Sequence, residues 1–202
     1  MTIIASSCDS IGDKPKIRSD KGSTIEEIIT NELSSGIRND TIFLGFAFGM
    51  TENDFSKKLR ELLKEEKLYK DKSNRNFLTY DMTVDQYYTF KCTFSPEYFN
   101  EKLHVLGVSV NSKDQLSSIK TMTLQLFMFF MNKYGLPTVE QEMQLVEDCK
   151  EYIWIQGNRK IKIMCGLTDS RIYYEDLSAN KDMEQIEKKE INDKRLESQG
   201  DI

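Results

Sequence analysis

Residues 86–95, QYYTFKCTFS, set Tyr88, Phe90, Cys92 and Phe94 against Thr89, Lys91 and Thr93. Successive side chains of a strand point to opposite sides, so this alternation describes a strand with one dry face and one wet face. Such a strand belongs in an antiparallel sheet whose dry face is covered by apolar partners. The runs FLTYDM (77–82), KLHVLGVSVN (102–111), EYIWIQ (151–156), RKIKIMC (159–165) and RIYYED (171–176) extend the same requirement. PEYFNE (96–101) reads as the hairpin loop between two of them, and Gly157-Asn158 as a tight turn between two others.

The covering elements are helices. In STIEEIITNELSSG (23–36), Ser23 is placed as N-cap with Glu26 three residues on. Ile25, Ile28, Ile29 and Leu33 then share a face, and Gly36 ends the helix. Thr41–Phe48 reads as a short strand closed by Gly49. Thr51 is a strong N-cap answered by Asp54, and Met50 and Phe55 occupy the two positions of a hydrophobic staple. Phe55, Leu59, Leu62 and Leu63 continue with helical spacing. A longer helix carries Leu116, Ile119, Thr123, Leu126 and Phe130 on one stripe. Tyr134 closes it, Gly135 suits a left-handed stop and Pro137 prevents continuation.

Helix (52–67) then three strands is thus followed by helix (115–134) then three strands, a degenerate tandem α-β-β-β repeat. The expected fold is α+β, an antiparallel sheet of about six strands with helices on one face. The expected organisation is a signal remnant and flexible tether over 1–22 and one α+β domain over 23–176, with halves at 41–111 and 115–176. Residues 138–149 are a polar stretch, and 177–202 form a charged C-terminal helix or tail.

Composition removes several functions. The 202 residues carry a net charge of −5 with no basic cluster, which argues against nucleic-acid partners. LQLFMFFM (124–131) is far shorter than the roughly 20 apolar residues that a membrane helix needs. Cys8, Cys92, Cys149 and Cys165 form no CxxC pair and His104 is the single histidine, so a zinc site is not expected. No GxSxG, P-loop or dinucleotide fingerprint is present, and no cofactor is expected.

LGFAFGMTENDFSKKLRELL, then paired strands, LFMFFMNKYGLP, the strand EYIWIQG and a closing RIYYED resemble uncharacterised secreted proteins and lipoproteins of Bacteroidota. Those carry a G-M-[ST]-x-x-[DE]-F helix start and a K-Y-G-x-P helix stop, and the likeness spans about residues 41–176. A more distant similarity is to folds of the β-lactamase-inhibitor-protein type and to small outer-membrane-assembly lipoproteins. What the resemblance implies is a binding module of the cell envelope. Its motifs are caps and stops, so it carries over no functional residue.

Ala5-Ser6-Ser7-Cys8 fits the small-residue box before a lipidated cysteine, with the 9–22 tether behind it. No Lys or Arg precedes the box, and the apolar stretch is below the about 7–15 residues of a signal core; both gaps close if translation starts upstream of Met1. The alternative is a cytoplasmic protein. A turn at Gly157-Asn158 pairs Gln156 with Arg159 and runs out to Lys150 opposite Cys165, bringing Cys149 near enough to Cys165 for a disulfide. Cys92 and His104 lie on consecutive strands and could face one another as nucleophile and base, but packing roles explain them without chemistry. Trp154, Tyr173 and Tyr174 read as core or sheet-face aromatics, and Glu65-Glu66 as a solvated helix face. The expectation is therefore a non-enzymatic, lipid-anchored or periplasmic protein that binds a protein or small envelope ligand, touching the membrane only through its lipid. An enzyme of unrecognised type and a cytosolic scaffold are the alternatives.

Overall fold

A computed structural model describes residues 23–71, 77–84, 87–113, 117–143 and 149–200; Cys8, its tether and Leu116 lie outside the described residues. The chain runs through helices α1 (Ile25–Ser34) and α2 (Glu52–Lys64) into strands β1 (Leu68–Lys70), β2 (Leu78–Thr83), β3 (Thr89–Phe99) and β4 (Lys102–Ser112). Helix α3 (Ile119–Tyr134) then leads into β5 (Val139–Glu142), β6 (Lys150–Gln156), β7 (Arg159–Cys165) and β8 (Ser170–Asp176), and helix α4 (Leu177–Gly200) follows.

All strands form one antiparallel sheet in the order β1-β2-β3-β4-β8-β7-β6-β5. The fold is α+β, but the sheet has eight strands rather than six. The two additions, LYK and VEQE, are edge strands of 3 and 4 residues, too short to carry a legible period. Each half is thus one helix followed by a four-stranded meander. The last strands of the two meanders pair antiparallel, Leu106 opposite Tyr174 and Val108 opposite Ile172. Such a seam relates the halves by a local two-fold normal to the sheet, which puts α2 and α3 on the same face.

That face holds the main core. Trp154, Ile161, Ile163, Ile172, Tyr174, Leu106, Val108, Phe90 and Cys92 are buried there together with Phe55 and Leu62 of α2 and Leu126 and Phe130 of α3. Phe127 stacks on Tyr152 at 4.1 Å between centroids, and the Trp154 Nε1–H donates to the Gly135 carbonyl at 2.9 Å, tying the end of α3 to β6. Helices lie on both faces, whereas the sequence pattern places them on one. Ile153 and Ile155 alternate with Tyr152 and Trp154, and on the opposite side they pack against Ile25, Ile28, Ile29 and Leu33 of α1 and Leu177 of α4. β6 is apolar on both sides because both sides are covered.

Local chemistry explains the boundaries. Thr51 and Asp54 form the complete capping box of α2. In α1 the box is Thr24 with Glu27, one residue later than Ser23 with Glu26. Thr41–Phe48 is not a strand: a single bridge joins Thr41 to Ala47 across a tight loop in which Leu44 and Gly45 take positive φ. Phe46 and Phe48 are driven into the core instead, with Phe46 stacked on Phe55 at 4.5 Å. Residues 96–99 stay in β3, and the hairpin turns on Asn100 and Glu101, both with positive φ, as a two-residue loop requires. Gly135 stops α3 at φ 79° and ψ −165°, a glycine conformation but not the left-handed helical one.

Gly157 begins the β6–β7 turn at φ 59°, and a Cβ there would lie 2.2 Å from the Ile37 carbonyl oxygen. The Gly157 N–H donates to Glu32 at 2.8 Å and Asn158 bonds Asn39, Asp40 and Asp176, so this turn holds the α1–α2 connection against the sheet. Gly157→Ala is expected to cost at least about 2 kcal/mol in urea unfolding, from left-handed strain together with the backbone clash.

Candidate functional site: the polar face of the sheet

The alternation that buries one side of β2, β3, β7 and β8 leaves their other side mostly polar, and Ser109 and Asn111 of β4 join it. α1 and the start of α4 cover the β5–β6 end of that side, and among the described residues the other strands carry a row of charged and hydroxylated side chains, most of them exposed or half-buried. Three linked groups occupy it.

At the β1–β3 end, the Tyr69 hydroxyl donates to Asp81 at 2.6 Å and the Lys113 ammonium donates to the other Asp81 oxygen, also at 2.6 Å. Lys91 pairs with Asp71 at 3.3 Å. Burial works against the Asp81 carboxylate, but the hydrogen bonds from Lys113 and Tyr69 outweigh it and hold its pKa below the usual aspartate value. Burial, then the bond to Asp81, push the Tyr69 hydroxyl well above its ordinary value, so it remains a donor. A cavity of about 430 Å³ opens beside this group, lined by Asp71, Thr79, Lys91, Asn111 and Lys113 and by Ile119 and Met122 of α3.

In the middle, Ser109 donates to Asp169 at 2.5 Å and Arg171 Nε to the other Asp169 oxygen at 3.2 Å. Arg171 also reaches the Tyr173 hydroxyl at 3.4 Å; these bonds to Tyr173 and Asp169 raise its pKa further. At the β7–β6 end Lys160 pairs with Glu175 at 3.0 Å, and Lys162 lies between Glu175 (3.8 Å) and Glu151 (3.7 Å) with its ammonium 5.0 Å from the Tyr173 ring centre. Lys160, Lys162 and Glu175 are held by cross-strand neighbours and Arg171 by Asp169 and Tyr173 beside it, which fixes their directions before any ligand arrives.

The residues singled out from the sequence separate widely. Cys92 is fully buried on the helix-covered face, paired with Val110, and burial pushes its thiol far above the reactive range. His104 sits at the other end of β4, its ring against Phe99 and its Nδ1 3.3 Å from Asn180 of α4. The two do not meet, and no nucleophile–base pair forms. Trp154 and Tyr174 are core, whereas Tyr173 stands on the polar face. Glu65 pairs with Lys67 at the end of α2. Cys149 and Cys165 are paired as a disulfide with Cα atoms 6.3 Å apart, joining the entry to β6 with the end of β7. Among the described residues no cluster of His, Cys, Asp and Glu could hold a metal ion, and no helix is long and apolar enough to cross a membrane.

Asp169 and Lys113, which knit the polar row together, lie in loops and escape a strand-by-strand reading. Their signal is indirect: a charged residue just past a strand end sits above the same face as the last outward residue of that strand.

No family model and no curated protein matches the chain. Among solved structures, it is similar to a DUF4309 family protein (YjgB) from Bacillus subtilis, with a TM-score of 0.35 and 10% identity over 75% of this chain and 94% of that one. A likeness of that size carries no argument about fold or function.

Two outcomes are expected. Asp81→Asn should cost about 1 kcal/mol at neutral pH, through loss of a charge-assisted bond that is partly screened. Because the folded carboxyl has the lower pKa, its stabilisation is present above about pH 4 and fades as pH falls through the folded value, so the parent and variant unfolding curves should converge in acid. Thiol titration of the unreduced, unfolded, unlipidated chain should find only Cys8 and Cys92, with Cys149 and Cys165 appearing after reduction.

Proposed function

We propose that this protein is a non-enzymatic cell-envelope module, anchored through a lipid on Cys8, that binds another protein with the polar face of its sheet. The observation that carries the reading is the row of pre-paired charges along the sheet face opposite the main core, most of them exposed or half-buried. Side chains already fixed by neighbours lose little freedom on binding, and alternating charges discriminate between partners more than they add affinity. A disulfide in a small domain fits an oxidising compartment, which supports the envelope over the cytoplasm. The cavity of about 430 Å³ is within the range of small-ligand sites, so a polar envelope ligand is the second reading.

Photo-crosslinking in the native host tests it. A photoreactive residue at Ser95 or Asn111 of the polar face should yield a discrete adduct with a partner, and one at Arg60 on α2 should not. Equal adducts from all three positions, or none, would remove the polar face as the binding surface. Intact mass of the protein from membranes should show a lipidated Cys8 as the first residue; an unlipidated Cys8 behind a retained Met1 would overturn the anchor.

A further inference from the structure

The centre of the sheet contains a glycine that the fold does not require. Gly107 lies in the middle of β4, between Ser95 of β3 and Tyr173 of β8, and its φ is outside the positive range. A Cβ built on it would meet the Ser95 carbonyl oxygen at 3.4 Å, the Ser95 Cβ at 3.6 Å and the Tyr173 ring at 3.6 Å, all ordinary contacts. A glycine inside a strand weakens it and often marks a place where a ligand or another chain approaches closely. Neither a turn nor a clash accounts for this one.

A recess of about 250 Å³ lies over it, with Gly107 and Val108 of β4 in its lining and Ser95, Glu97, Ser109 and Tyr173 around it. Asp169 and Arg171 close the far wall and neutralise one another at 3.2 Å. Glu97 is exposed and forms no ion pair or side-chain hydrogen bond among the described residues, which leaves one carboxylate in excess at the rim. The opposite rim is the Tyr173 ring, whose Cε1 edge faces Gly107 and which also carries the Lys162 ammonium 5.0 Å from its centre. A planar cation satisfies both, stacking on tyrosine while its fork of N–H groups reaches a carboxylate.

We infer that the recess over Gly107 is a socket for an arginine side chain of the protein partner, seated between the Glu97 carboxylate and the Tyr173 ring. The inference rests on the polar face being the binding surface and adds the chemistry of the contact at its centre. A recess in the middle of an interface, taking one cationic side chain, is where binding energy concentrates.

The test is a titration of the full ¹⁵N-labelled chain with N-acetylarginine amide, using the uncharged N-acetylcitrulline amide as control. The arginine probe should shift the amides of Ser95, Gly107 and Ser109 to saturation in the millimolar range, and the citrulline probe should not. Glu97→Gln should weaken the arginine probe at least about threefold, the size of a partly exposed ion pair. Gly107→Ala should weaken it as well, with the urea midpoint equal to or above that of the parent. Absence of saturation, equal binding of both probes, or affinity unchanged by both substitutions would overturn the socket. A flat titration alongside retained crosslinks from Ser95 removes only the socket, whereas loss of the Ser95 and Asn111 crosslinks removes the binding face itself.

Discussion

The pairing of β4 with β8 is the constraint on which everything else hangs. Its partners are 60 to 70 residues apart in sequence, and it converts two separate helix-plus-meander units into one sheet. Four strands with a single helix bury too little apolar surface to be secure, whereas the seam lets Leu106 and Val108 share a core with Ile172 and Tyr174. The same register sets the other face. Gly107 falls opposite Tyr173 and Ser109 opposite Arg171, so the contact that completes the core also builds the recess. A slip of one residue would exchange the two faces and destroy both.

Local symmetry and its breaking then divide the surface. The seam places α2 and α3 together over the apolar side. α1, which belongs to neither half, covers the β6 end of the polar side through four aliphatic residues. The Gly157-Asn158 turn holds this arrangement in place through bonds to Glu32, Asn39 and Asp40. On the strands away from α1 the described charges are held by neighbouring side chains, some across strands as Lys160 with Glu175, some beside them as Arg171 with Asp169.

Much of the local structure was legible because its causes are local. The Thr51–Asp54 box, the apolar stripe of α3 and the Gln156–Arg159 register each depend on residues a few positions apart. The α1 cap falls on Thr24 and not on Ser23 because the two, like Glu26 and Glu27, are interchangeable as cap chemistry; packing of Ile25, Ile28, Ile29 and Leu33 selects Thr24. Thr41–Phe48 has strand composition, but its aromatics are drawn down onto Phe55, Phe94 and Tyr174, and the backbone folds into a loop to deliver them. Pro96 resembles a loop signal, yet β3 continues to Phe99 and the register shift falls just beyond it, between Glu97 and Tyr98.

The sequence by itself determined that this chain makes a half-covered antiparallel sheet with amphipathic helices, because alternation and capping are written in neighbouring residues. It also placed Cys149 within reach of Cys165, since one tight turn sets that register. Tertiary structure alone decided that there are eight strands, that β4 meets β8, and that helices cover part of the second face. It alone brought Glu97, Gly107 and Tyr173 together, from three strands that share no local signal. Contacts between residues distant in the chain are fixed by burial of the whole core, and no window of sequence contains that sum.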